Sequence, residues 1–372
     1  MTAPRIEIDL DKIEDNTRTL VERLAPTGIG VTGVTKATLG SPGVGAAMLR
    51  GGARGLGDSR AANLARLAGL AGSPSRTLIR SPMLSQVDQV VRTADVSLNT
   101  DAAVLRALDR AAKRHGRTHD VVLMVELGDL REGISTDDVS AAVREVHGLP
   151  SLRLVGLGTN LACQNGVVPD DINMGVLTGL VENVESLHGI TLATVSGGNS
   201  ANLDWALSSA NIGRIDDLRL GEALLLGLEP LHRTPIDGLH GDAFALYAEV
   251  IEVADKPARP WGSRAQAAFG DVPVRSASAT GTIRQAIVAL GRQDVEPDTL
   301  VPPAGIAVLG MSSDHLVLDL GDHGAAVGDE LVFGVGYGAL VRAMTSPFVT
   351  KVERVGRPVV PRLVAVPALP PE

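Results

Sequence analysis

The chain reads as an eight-stranded (β/α)8 TIM-type barrel followed by an all-β domain, and three observations lead there. Eight strand-like runs alternate with amphipathic helical stretches through the first two-thirds of the sequence. From about Asp242 the helical periodicity gives way to strands separated by Gly and Pro. At 372 residues the chain also exceeds what one hydrophobic core usually organises, so two domains are expected.

The barrel runs are VTGVTK from Val31, ARGLGDS from Ala53, TLIRS from Thr77, ADVSLN from Ala94, DVVLMVEL from Asp120, LRLVGLGTN from Leu152, ITLATVSG from Ile190 and DDLRLG from Asp216. Between them, Val104, Leu105, Leu108, Ala111 and Ala112 share one helical face, and Ile172, Val176, Leu180, Val184 and Leu187 share another. Asp11 and Glu14 have capping-box spacing ahead of Ile13, Leu20, Val21 and Leu24. Such a barrel carries its chemistry at the carboxyl ends of its strands, where Lys36, Asn160, Ser200 and Arg219 fall.

The second domain comprises AFALYAEVIEVADK, ASATGTIRQAIVALG, GIAVLGMSSDHLVLDLGD and VGDELVFGVGYGALVRAM, with no good helix between them. The boundaries expected are 1–235 for the barrel, 236–353 for the β domain and 354–372 for a flexible tail, which has five prolines after Val352. PRIEIDL precedes the barrel and pairs either with it or, over residues 1–10, with the β domain.

A net charge of −9 with scattered Lys and Arg argues against a nucleic-acid surface. MTAPRIEIDLDKIED is charged from its fifth residue, and no stretch stays apolar for the about 18 residues of a membrane span, so a cytoplasmic protein without a membrane partner is expected. The single cysteine, Cys163, excludes an intrachain disulfide and a Cys-rich zinc site, and no metal is expected.

Lys36 closes a buried strand, the position of a surface lysine or of an amine for Schiff-base chemistry. SGGNSAN from Ser196 is either a strand-to-helix turn with its cap or a phosphate cradle. In the second case Gly197 and Gly198 admit close backbone approach, Ser200 offers a hydroxyl, and amides near Gly221 and Glu222 add donors. Together with LRLGEALLLG from Leu218, these stretches resemble the alanine-racemase-like, pyridoxal-phosphate-dependent enzymes.

The resemblance implies pyridoxal 5′-phosphate as cofactor, bound by Lys36, Arg131, Asn160, Gly198, Asn199, Ser200, Arg219, Gly221, Glu222 and Tyr337. It places Arg219 against the ring nitrogen, although an arginine on a barrel strand can equally be a structural ion pair. A guanidinium has no acceptor, so the nitrogen it faces stays unprotonated and the cofactor is a weaker electron sink; prompt reprotonation, as in racemisation, is then favoured. VELGDLREG resembles the segment whose arginine approaches the substrate carboxylate, giving Arg131, and GMSSDH the capping loop, giving Ser313 and Asp314 as substrate contacts. Tyr337 matches a phosphate-binding tyrosine or is a core aromatic.

The departures are as informative as the matches. Met124 stands where alanine racemases carry a carbamylated lysine, Asn160 where they carry a histidine, and Arg292 where the partner's catalytic tyrosine is expected; the chain has two tyrosines in all. GTNLAC, SGGNSAN, LRLGEA and SSDHLVLDL together resemble the ornithine-racemase-like branch, implying two-base racemisation of a basic amino acid in a head-to-tail homodimer. Lys36 is then one base, and Cys163 and His315 are candidates for the other. The bland alternatives are a small core residue for Cys163 and a loop donor for His315. Competing classes are a metal-assisted aldolase or dehydratase, a decarboxylase, and a non-catalytic cofactor-binding protein. SSDH with His323 lacks convincing ligand spacing for the first, and LRLGE differs from the EPGR-type motif of the second.

Overall fold

The computed structural model describes residues 2–270 and 281–356, and the chain divides into two compact units, Lys12–Gly241 and a second made of residues up to Asp11 with those from Asp242 onward. The division falls six residues after the expected 235/236 boundary. The strand β1 (Arg5–Asp9) belongs to the second unit, antiparallel to β10 (Phe244–Pro257) and parallel to β16 (Thr350–Arg354). All five residues of β1 are buried, so it serves as an interior strand of that sheet. Because β16 runs through Arg354, the tail expected from residue 354 begins inside a strand; residues 357–372 lie outside the described residues.

In the first unit, β2 (Gly30–Val34), β3 (Gly55–Asp58), β4 (Ser75–Leu78), β5 (Val96–Asn99), β6 (His119–Met124), β7 (Leu152–Gly158), β8 (Thr194–Gly198) and β9 (Asp217–Leu220) close a parallel barrel in chain order. All eight expected runs supply its strands. The closure of β9 on β2 sets Arg219 beside Thr32, and the pairing of β8 with β9 sets Ser196 beside Asp217. A register shift between Ser196 and Gly198 turns the end of β8 out of the ladder.

Two local expectations are corrected. The helix Asp171–His188 buries Met174, Leu177, Val181 and Val184, whereas Ile172, Val176 and Leu187 of the expected face are exposed. Both sets satisfy helical spacing, so periodicity alone could not choose between them. The helix Leu10–Leu24 begins after Asp9, whose carboxylate accepts from the Asp11 amide at 3.1 Å, and Glu14 instead pairs with Arg18 and Arg50.

The second unit is an eight-stranded sheet, adding β11 (Thr282–Val288), β12 (Leu300–Val301), β13 (Ala307–Met311), β14 (Leu316–Asp319) and β15 (Glu330–Val335). It is not all-β. Tyr337–Thr345 forms a helix that buries Ala339, Leu340, Ala343 and Met344, a spacing that competes with strand alternation in a short apolar run. No helix among the described residues is long and apolar enough to cross a membrane.

Candidate active site

Lys36 follows β2 through Thr35 and opens a 3-10 turn, Lys36–Thr38, with its side chain exposed. The turn is anchored from beneath. The buried Thr35 hydroxyl donates to Asp58 Oδ2 at 2.8 Å, and Asp58 Oδ1 accepts from Asn63 Nδ2 and the Arg60 amide, each at 3.0 Å. Burial pushes the Asp58 carboxyl up, while the hydrogen bonds from Thr35 and Asn63 oppose it.

The two glycine-containing motifs meet. Ser200, buried at the end of β8, accepts on Oγ from the Gly221 amide at 3.4 Å and the Ala223 amide at 3.3 Å. Gly198 has φ of +148°, and a Cβ there would lie 2.0 Å from Asn202 Oδ1, so only glycine lets the chain turn so tightly. Asn199 Nδ2 donates to the Leu161 carbonyl at 2.8 Å and to Asn160 Oδ1 at 3.2 Å, tying this turn to the end of β7. Glu222 pairs with Arg233 at 3.0 Å; burial raises its carboxyl, and the charges of Arg233 and Lys36 oppose that shift.

Arg219 projects into the barrel and is buried. Nη1 donates to Ser196 Oγ at 2.5 Å, and Nη2 to the Thr159 carbonyl at 2.7 Å and Asn160 Oδ1 at 3.4 Å. Burial pulls its guanidinium below the ordinary value; nearby Asp217, Cys163 and Glu132 oppose that, and Arg131 adds to it. Arg131, Glu132, Cys163 and Arg219 therefore share one electrostatic neighbourhood. Arg131 is held in a bidentate pair by Glu132, whose hydrogen bonds raise the guanidinium further, with a smaller contribution from Cys163.

The loop carrying Cys163 is organised by the buried Asp129, whose carboxylate accepts from the amides of Cys163 at 3.1 Å, Gln164 at 2.9 Å and Asn165 at 3.0 Å. Burial alone would raise that carboxyl, but the amides of Asn165, Gln164, Cys163 and Val167 hold it low. Cys163 itself is exposed, with Sγ 3.5 Å from Asn199 Nδ2, so it is not the small core residue. Leu130 and Ala162, each preceding one of these groups, adopt left-handed φ of 52° and 58°. Such conformations cost roughly 1–2 kcal/mol per non-glycine residue, which the Asp129 network offsets.

The remaining expected residues lie in the second unit. Ser313, Asp314 and His315 form the turn between β13 and β14, with His315 Nδ1 2.8 Å from Asp314 Oδ1 and the Ser313 hydroxyl donating to Asp314 at 3.2 Å. Gly291 packs flush against this turn, since a Cβ there would meet the Asp314 amide at 2.2 Å. Arg292, next in sequence, stacks over Phe269 at 5.1 Å, and Tyr337 opens the helix Tyr337–Thr345. Sequence reasoning missed Glu132, Asp129, Asp58 and Asp217. The only signal for Asp217 was its position two residues before Arg219, on the same face of one strand.

Do these residues fit pyridoxal phosphate? Asn160 Nδ2 is buried without a hydrogen-bond partner among the described residues, at the junction of Arg219 and Asn199. An unmade bond to a buried donor costs about 1–3 kcal/mol, so this amide points to a group that accepts from it. The meeting of Ser200 with the Gly221 and Ala223 amides adds a compact donor-rich turn, and Lys36 adds an accessible amine. The donor set suits a phosphorylated aldehyde.

Residues 8–230 match the family described as alanine racemase, N-terminal domain. The lysine racemase of Thermotoga maritima is 38% identical over 360 residues, covering 95% of this chain and 99% of that one. The ornithine racemase of Acetoanaerobium sticklandii is 34% identical over 354 residues, covering 94% of this chain and 99% of the other. An alanine racemase structure from Bartonella henselae with covalently bound pyridoxal phosphate shares the fold, with a TM-score of 0.70, 16% identity and coverage of 95% of this chain and 100% of that one.

Proposed function

The chain belongs to the alanine racemase N-terminal domain family, and from that premise we propose that it racemises a free basic amino acid, ornithine or lysine, with pyridoxal 5′-phosphate. The observation that carries the reading is the convergence of Lys36, the Ser200 turn and Arg219 at the carboxyl ends of β2, β8 and β9, with the partnerless Asn160 amide among them. When bound, the cofactor supplies an electron sink that acidifies the α-proton of an attached amino acid.

The protein's residues do the rest. Lys36 would hold the cofactor's aldehyde through Nζ and would carry a proton at that atom on one face of the substrate α-carbon. Arg131, kept in place by Glu132, binds the substrate carboxylate, and Ser313 and Asp314 contribute from the capping loop. Arg219 would face the ring nitrogen as a donor and leave it unprotonated, because a guanidinium can donate but not accept. Gly198, Asn199, Ser200, Gly221 and Glu222 would hold the phosphate, the role the family resemblance also implies for Tyr337.

Two faces require two proton carriers, since return of the proton from its side of origin restores the starting enantiomer. Cys163 and His315 are the candidates for the second. Cys163 has Arg131 beside it, and His315 has Asp314 as an orienting partner. A head-to-tail dimer that brings the capping loop to a second barrel completes the site and excludes water from it. The cytoplasm is the proposed compartment.

Lys36→Ala tests the reading directly. The variant loses interconversion of L- and D-ornithine and of L- and D-lysine, and loses the visible absorbance of the purified protein, with its far-ultraviolet circular dichroism unchanged. Normal turnover by that variant overturns the assignment. For the second base, Cys163→Ala and His315→Asn are followed in deuterium oxide with each enantiomer separately. The variant lacking the true base still exchanges the α-proton of one enantiomer while net racemisation collapses; normal racemisation by both moves the role elsewhere.

A further inference from the structure

Arg219 is braced from below by a chain of groups on three adjacent strands. Ser196 Oγ, which accepts from Arg219 Nη1 at 2.5 Å, donates its own proton to Asp217 Oδ2 at 2.5 Å, and Asp217 Oδ1 accepts from Thr32 Oγ1 at 2.7 Å. Asp217 and Arg219 lie two apart on β9 and so face the same way, and Ser196 is the in-register neighbour of Asp217. We propose that Asp217 is a positioning residue for the racemase reaction, aiming the Arg219 guanidinium at the cofactor ring by fixing the direction of the Ser196 hydroxyl. The inference rests on the reading of Arg219 as the ring-nitrogen partner.

The chemistry of the hydroxyl makes the carboxylate matter. Serine has one proton to give, and a guanidinium has only protons to offer, so Ser196 must spend its proton elsewhere to present a lone pair to Arg219. An ionised Asp217 is acceptor-only and settles that direction. An amide in its place can donate into the second lone pair of the Ser196 oxygen, which turns the serine proton loose and leaves the direction of the hydroxyl unfixed. The bonds to Ser196, Thr159 and Asn160 take three N–H groups of Arg219, leaving Nε and one Nη1 hydrogen for a ring acceptor.

Packing alone does not complete this work. The relay borders a cavity of about 320 Å³ at the amino-terminal end of the barrel, lined by Thr32, Arg54, Ser75, Ser196, Asp217 and Arg219 among others. Most barrels of this class fill that space with layers of branched side chains. Beside that opening, hydrogen bonds give a long side chain the direction that packing on one side leaves open, and productive sites tolerate roughly 0.5 Å of error.

The test uses the cofactor-loaded full chain as wild type, Asp217→Asn, Ser196→Ala, Ser196→Thr and the Asp217→Asn/Ser196→Ala double variant. The expected result is retained cofactor in every variant and an altered visible absorption and circular dichroism band in Asp217→Asn and Ser196→Ala. In those two, kcat falls about 10–100-fold, the scale seen when a group that orients a functional ligand is removed, with KM little changed. Ser196→Thr, which keeps the hydroxyl, recovers most of the loss. The double variant is no worse than the poorer single one, because both break the same chain.

Three results overturn the proposal: a wild-type spectrum and kcat in Asp217→Asn, a lowered melting temperature with no spectral or kinetic change, or losses that multiply in the double variant. Should Asp217→Asn not fold, Ser196→Ala and Ser196→Thr still decide whether the hydroxyl matters. A wild-type protein without visible absorbance refutes the parent reading itself, whereas a coloured wild type with an indifferent Asp217→Asn refutes only the relay.

Discussion

The two walls of the barrel interior are built on opposite principles. Around β5 to β7, Leu98, Val122 and Met124 are buried with Ile79, Val96 and Val155 packed against them. Around β8, β9 and β2, the interior positions are Ser196, Asp217, Arg219 and Thr32, joined by hydrogen bonds beside the cavity. The first wall is stable because it excludes water, with about 25 cal/mol gained per Å² of apolar surface. A buried guanidinium is tolerable only with acceptors supplied to it, so the second wall gives up packing for direction. The difference sets apart the wall on which Arg219, the proposed ring-nitrogen partner, stands.

The sharpest way to break the contrast is Arg219→Met. Removing one member of a buried charged network costs about 3–5 kcal/mol, and activity goes with it. Urea denaturation and chiral product analysis together measure both losses; full stability in this variant would mean the polar wall is not a coupled unit.

Leu98→Ala probes the other wall. A buried Leu→Ala change costs about 2–5 kcal/mol, toward the lower end here because Leu98 borders existing space. The visible spectrum of the loaded protein stays unchanged, which separates packing from chemistry; a shifted spectrum would show that the walls are coupled.

The apolar side also contains one buried titratable group facing away from the bore. His119 Nε2 lies 2.8 Å from Ser97 Oγ, and burial pulls the imidazole from 6.5 to about 4, with lesser effects from Asp120, Arg117 and Asp95. The unfolded chain therefore binds more protons between those values. Stability is fully present above pH of about 6.5 and falls as pH drops toward about 4, by roughly 3 kcal/mol at 1.36 kcal/mol per unit. His119→Gln flattens that part of the profile; equilibrium unfolding at a series of pH values checks it, and an unchanged slope assigns the acid sensitivity elsewhere.

Thr32→Val is the mildest of the four. It removes one hydrogen bond to Asp217 while keeping shape, at a cost of about 0.5–1.5 kcal/mol. Its kcat falls less than that of Ser196→Ala, because the Thr32 hydroxyl bonds to Asp217 rather than to Arg219; an equal or larger fall reverses that order.

Much of this molecule was legible from its residues. Several barrel strands, such as β6 and β7, are apolar runs bounded by turn residues, and such runs specify strands wherever they end up in space. Lys36, SGGNS and LRLGEA stood out as a candidate site because a reactive amine and close backbone approach need particular residue types at particular spacings. Partnership between distant segments was not. The burial of Met174 rather than Ile172, the pairing of β1 with β10 and β16, and the helix Tyr337–Thr345 each followed from which surfaces were available to pack against. Asp217 became a brace for Arg219 only when closure of the barrel brought β8 and β2 to either side of β9. Local propensity acts over a few residues, whereas register and hydrogen-bond direction are settled by contacts between residues far apart in the chain, and those exist only once the chain has folded.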